Sequence, residues 1–272
     1  MRTRFLLILL NTFWLVGCVF GQPAGSGVGS QEITVFAASS LSDAFDELAQ
    51  AFQSQNDAVK VTLNFAGSSH LAAQLKEGIA ADVFASANPA QMGIVIETGL
   101  VEAGTEVLFV SNRLTVIVPV DNPAGIRSWE DLAKPGVRLI LAAKGVPVRD
   151  YVDAIVIAMA VDFQDRFYAN LVSEEDNVRQ VSAKVALGEA DAGIVYSSDV
   201  TPAIADLVQQ IAIPDAHNVT APYQIAPLVD APSPELARRF IHFILSEEGQ
   251  SILSRWGFTP PPAKLENYFE PD

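Results

Sequence analysis

Residues 33–52 read ITVFAASSLSDAFDELAQAF, and a change of period inside this stretch decides the fold. Residues 33–37 form a short apolar run of the composition that suits a buried strand. After Ser39 and Ser40, apolar side chains recur at Leu41, Phe45, Leu48 and Phe52, which is the spacing of one helix face. The two serines therefore fall on a strand-to-helix turn. The same arrangement returns at 59–65 (VKVTLNF), where Gly67-Ser68-Ser69 lead into a helix over 71–77 closed by Gly78. It returns again at 137–142, followed by Lys144-Gly145-Val146-Pro147-Val148 and a helix over about 149–159. Residues 82–86, 114–119, 192–196 and 222–229 read as further strands. Val178, Val181 and Val185 mark a helix ended by Gly188, and helices over 236–245 and 247–255 open behind Ser233-Pro234 and Ser246. This alternation argues an α/β protein with mostly parallel sheets.

The chain of 272 residues holds 50% hydrophobic and 18% charged residues, a globular balance that excludes collagen-like, coiled-coil and disordered proteins. Thirty-two acidic residues against 17 basic ones give a net charge of -15, which argues against nucleic acid as a partner, because phosphate contacts need clustered basic residues. If the ligand is an anion, local donors rather than the overall field must capture it.

The single cysteine, Cys18, excludes an intrachain disulfide framework. It follows a basic leader (Arg2, Arg4) and an apolar run over 5–16 that is too short for a bilayer span of roughly 20 residues. Residues 1–17 thus read as a secretion signal. Leu15-Val16-Gly17-Cys18 resembles the bacterial lipobox, so Cys18 is the expected lipid attachment, and 18–31, rich in Gly and Ser, the expected tether.

The turns carry the chemistry. Helix N-termini present unpaired N–H groups and a partial positive charge, a receptor for an oxyanion, and hydroxyls on the same turns add donors without a fixed countercharge. Ser39, Ser40, Ser68, Ser69 and the backbone near Val148 are the candidates.

Five segments carry a resemblance: ITVFAASSLSDAF (33–45), FAGSSHLAAQL (65–75), GIAADVFASAN (78–88), NVRQVSAKVALGEADAGIVYSSD (177–199) and RWGF (255–258). Together they make the chain resemble the extracytoplasmic molybdate-binding proteins of bacterial ABC importers. The resemblance implies a two-lobed periplasmic-binding-protein fold of type II, two α/β lobes joined by two crossover strands, here near 112–115 and 222–224. Lobe 1 would take 32–113 and 223–262 and lobe 2 would take 114–222, with a loose acidic tail at 263–272. It also implies a non-enzymatic protein that holds molybdate or tungstate between the lobes and hands it to a membrane permease. By the same resemblance, Ser40 and Ser68 donate hydroxyl and backbone bonds, Val148 and Val178 donate backbone N–H groups, and the Tyr196 hydroxyl reaches the anion. Two departures stand out: Ser39 where the family commonly has alanine, and Val148-Arg149 where it usually has Ala-Gly. Arg149 is expected to point to solvent.

A rival on the same fold is a receptor for another oxyanion, such as sulfate, or another small ligand; a more distant reading is a serine hydrolase using Ser68 or Ser69 with His70, but no G-x-S-x-G elbow surrounds either serine. His70, His217 and His242 lack metal-ligand spacing, and Asp162, Asp165, Glu174, Glu175 and Asp176 are expected to form a solvated loop rather than a cation site.

Overall fold

The computed structural model describes residues 31–261. The expected signal at 1–17, Cys18 with its tether through residue 30 and the tail at 263–272 lie outside the described residues, while Gln31, expected to end the tether, opens the first strand.

The elements run β1 (Gln31–Ala38), α1 (Ser42–Ser54), β2 (Val59–Ala66), α2 (Ser68–Lys76), β3 (Val83–Ser86), α3 (Pro89–Glu97), β4 (Val107–Pro119), β5 (Leu139–Ala142), α4 (Pro147–Ile157), α5 (Val161–Ala169), β6 (Leu171–Glu175), α6 (Val178–Ala186), β7 (Ala192–Tyr196), β8 (Val208–Ala212), β9 (Thr220–Pro227), α7 (Pro234–Leu245) and α8 (Glu247–Arg255). Short 3-10 turns cover Ser39–Leu41, Trp129–Ala133 and Ser197–Asp199. The strands hydrogen-bond in the order β2-β1-β3-β9-β4-β7-β5-β6, with β8 on β4.

The outer ladders are parallel: β1 with β2 and β3, and β5 with β6 and β7. The expectation of mostly parallel sheets needs correction at the centre, where β9 runs antiparallel to β3 and β4, and β4 antiparallel to β7 and β8. The cause is topological. β4 is one 13-residue strand that pairs with β9 through Arg113 and with β7 and β8 from Leu114 onward, so it serves two sheets in succession. The chain returns to the first sheet through β9.

Amphipathic faces seal each sheet. α1 buries Phe45, Leu48 and Phe52, and the rings of Phe45 and Phe52 meet Phe240 of α7 edge-on at 6.4 and 5.2 Å. α2 ends before Gly78, whose φ of +88° is a conformation that a side chain would strain. Four elements escape the sequence reading: α3 behind the Asn88 cap, α5, β6 and β8. β6 corrects the expected acidic loop. Glu174 and Glu175 belong to this strand, where Glu174 meets Arg149 and buried Glu175 accepts from Lys184 Nζ at 2.7 Å.

Candidate functional site

Four turns meet where the two sheets face each other. Ser40 sits on the 3-10 turn after β1, Ser68 opens α2, Val148 lies in the first turn of α4, Val178 opens α6, and Tyr196 ends β7. These five residues line one small, closed-down cavity, and all are buried. Sequence positions from 40 to 196 are thus drawn to one point by strand-to-helix connections alone.

Each group has a direction. Ser68 Oγ accepts the Ala87 N–H at 3.1 Å, so its own proton remains to be donated. Ser40 Oγ lies 2.9 Å from the Tyr223 hydroxyl. Val148 and Val178 occupy first helical turns, whose N–H groups have no intrahelical acceptor. The Tyr196 hydroxyl completes no hydrogen bond of good geometry with a described residue, although it adjoins Tyr223. Burial raises the phenol groups of Tyr196 and Tyr223 far above their ordinary range, so both stay protonated donors. A set of this kind offers protons, two backbone dipoles and no free charge, the chemistry that replaces the hydration of an oxyanion.

The cations nearby are already paired. Arg149 overturns the expectation of a solvent-facing side chain: it is 2% exposed, turned back into its own half. Nε bonds Asp153 Oδ1 at 2.7 Å, one turn along α4, while Nη1 bonds the Ala142 carbonyl at 3.1 Å and Glu174. Those partners offset the desolvation of the guanidinium. Arg179 bridges instead. Its Nη2 meets Asp43 of α1 at 2.7 Å, its Nε meets the wholly buried Asp199 at 2.9 Å, and its guanidinium lies 3.4 Å from the Ser40 carbonyl. Burial pushes the Asp199 carboxyl up to about 6, against the pull of Arg179 and of the Tyr196 N–H that it accepts.

More contacts cross the cleft. Asn88 Nδ2 donates to Asp150 at 3.2 Å, and Gln91 Nε2 to the Gly145 carbonyl at 3.3 Å. Burial, and then the neighbouring Asp153, raise the Asp150 carboxyl to about 6. At Gly67 a Cβ would lie 2.8 Å from the Asp176 carbonyl, closer than side-chain carbons approach, so only glycine allows the two halves to meet here.

The hydrolase reading finds no dyad. His70 is exposed, and among the described residues no hydrogen bond joins it to Ser68 or Ser69. Nor do three or more His, Cys, Asp or Glu gather as for a metal ion among the described residues, and no helix there is long and apolar enough to cross a membrane. The sequence reading missed Tyr223, Arg179 and Gly67 as site residues. Arg179 had a signal, because it directly follows the cavity-lining Val178 as Arg149 follows Val148.

Comparison with known proteins gives the family and the fold. The family model described as bacterial extracellular solute-binding protein matches residues 33–259. The molybdate-binding protein ModA of Mycobacterium tuberculosis is 40% identical over 240 residues, covering 88% of this chain and 89% of that protein. ModA of Haemophilus influenzae is 31% identical, covering 86% and 92%. Among solved structures, the periplasmic molybdate-binding protein of Azotobacter vinelandii superposes with a TM-score of 0.75 at 19% identity, covering 85% of this chain and all of that one. The sulfate-binding protein SubI of M. tuberculosis reaches 0.74 at 19% identity, covering 85% and 87%. At such identity these two establish the fold alone, that of the two-lobed periplasmic binding proteins. The chain belongs to the bacterial extracellular solute-binding proteins, non-enzymatic components of transporters, with the ModA proteins among its relatives.

Proposed function

We propose that this protein captures molybdate, and tungstate with it, between its two lobes and presents it to the permease of an ABC importer outside the cytoplasm. The observation that carries the reading is the convergence of Ser40, Ser68, Val148, Val178 and Tyr196 on one cavity, with the neighbouring guanidiniums paired off. The 40% identity to a molybdate-binding protein over most of both chains supports the choice of oxyanion. Part of the same reading is the division into lobes at 32–113 with 223–262 and at 114–222; the exchange of β4 partners at Arg113 and Leu114 supports the first boundary. A ligand bonded from both lobes stabilises the closed form by its differential affinity, which is what a permease would sense. Cys18 would carry the lipid that tethers the protein to the membrane, two acyl chains being enough for stable anchoring.

Titration calorimetry of the purified protein against molybdate, tungstate, sulfate and phosphate tests the assignment. Tight binding of molybdate and tungstate with sulfate ignored is the expected result, and sulfate binding as tight as molybdate binding would overturn it. Mass spectrometry of the membrane-associated protein should find an N-terminal diacylated Cys18; an unlipidated N-terminus beyond Cys18 would dispose of the anchor.

A further inference from the structure

Tyr223 lies on β9 at the junction of the two sheets, is wholly buried, and is not among the residues that line the cavity. Its hydroxyl is 2.9 Å from Ser40 Oγ, and the Asn112 amide and the Tyr196 hydroxyl also bear on it. Asn112 is anchored in turn: its Oδ1 accepts the Arg113 N–H at 2.9 Å, and its Nδ2 donates to Ser198 Oγ at 2.7 Å. Tyr223 therefore stands between a hydroxyl from the first half and one from the second, with β4 behind it.

Proton counting gives this cluster a direction. A serine or tyrosine hydroxyl has one proton, and a fully deprotonated oxyanion has none to give, so any hydroxyl that touches the anion spends its proton there. Once Ser40 does so, it can only accept from Tyr223, and Tyr223 can only donate to it. The Asn112 amide has a second N–H beyond the one it gives to Ser198 Oγ, and on this reading that N–H serves the Tyr223 oxygen. On the reading of the cavity as an oxyanion site, we infer that Tyr223 is a positioning residue: it holds the Ser40 hydroxyl as an acceptor toward the protein so that its proton faces the anion. The ordered chain runs from Asn112 through Tyr223 and Ser40 to the ligand, and each donor polarises the next.

A double-mutant cycle on the full-length protein separates this role from packing. Tyr223→Phe keeps the ring and should weaken molybdate binding about five- to twentyfold, the scale of one hydrogen bond acting through another. Ser40→Ala should weaken it further than that, and the double variant should bind no worse than Ser40→Ala alone, within about twofold. Losses that multiply, or a Tyr223→Phe affinity within twofold of wild type, would overturn the inference. Should Tyr223→Phe fail to fold, proton NMR of the molybdate-loaded wild type decides: a slowly exchanging Tyr223 hydroxyl proton close to the Ser40 β protons is expected, and its absence would contradict the chain. Wild-type protein that binds none of the four oxyanions would remove the oxyanion reading itself, and this inference with it, a result distinct from tight binding with additive variants.

Discussion

The first turns of α4 and α6 carry the same dipeptide, Val148-Arg149 and Val178-Arg179, and use it in opposite ways. Both valines line the cavity. Arg149 folds back against Asp153 and Glu174, carboxylates of its own half that are 38% and 43% exposed. Arg179 reaches out to Asp43 in the first half and to Asp199, which is 0% exposed. What separates a structural arginine from a bridging one is where the fold puts the carboxylates. Asp153 lies one turn from Arg149 on the same helix, whereas Asp43 and Asp199 reach Arg179 only through the fold.

The sharpest break between the two sites should come from stability. Arg179→Ala strands Asp199 in the interior and should cost about 3–5 kcal/mol, the scale for an uncompensated buried charge, read as a fall in the denaturant midpoint. Adding Asp199→Asn should recover part of that loss, and a loss no larger than that of Arg149→Ala would erase the contrast. Arg149→Ala frees two carboxylates that already touch water, so its penalty should be clearly smaller.

Next in size is the backbone donor. Val148→Pro deletes an N–H at the cavity and should weaken molybdate binding by about 1.5–3 kcal/mol or more, whereas Val148→Ala keeps the donor and should stay within about threefold. Equal effects from the two would mean that the side chain, not the N–H, serves the ligand.

A pH contrast follows in size. Asp150 titrates near 6 in the fold against an ordinary 3.8, so its ionised form is disfavoured in the native state, and the stability it contributes at low pH is lost as pH rises from about 4 through 6. Asp150→Asn should therefore melt above wild type at pH 7 and converge with it near pH 4. A gain that persists at pH 4 would assign the effect to packing. The smallest effect belongs to Arg149: its replacement by Gln should leave molybdate affinity within about threefold, below 0.7 kcal/mol, because the guanidinium faces away from the cavity. A tenfold loss would place its charge in the site.

Much of this architecture was legible in local patterns. The strand-to-helix switch around Ser39 and Ser40 is written in period, and the same signal points to Ser40, Ser68 and the backbone near Val148, whereas the two-lobed fold, Val178 and Tyr196 came only with the family resemblance. What escaped depends on contacts between distant segments. Glu174 and Glu175 look like loop residues until β6 pairs with β5, and Arg149 looks like a surface residue until β6 brings Glu174 to it. Tyr223 reads as one more apolar position of a strand, since its role needs Ser40, 183 residues away. Gly67 reads as a turn former, yet its distinctive demand comes from the Asp176 carbonyl across the cleft.

The central claim is that neutral donors, not charge, hold the anion. Molybdate affinity measured by calorimetry from about 20 to 500 mM sodium chloride tests it most directly, since a ligand held by unpaired guanidinium charge loses affinity as salt screens the attraction. With both arginines paired and a net charge of -15 on the protein, affinity should stay flat or tighten slightly as screening relieves long-range repulsion. A fall of tenfold or more across that range would contradict the account.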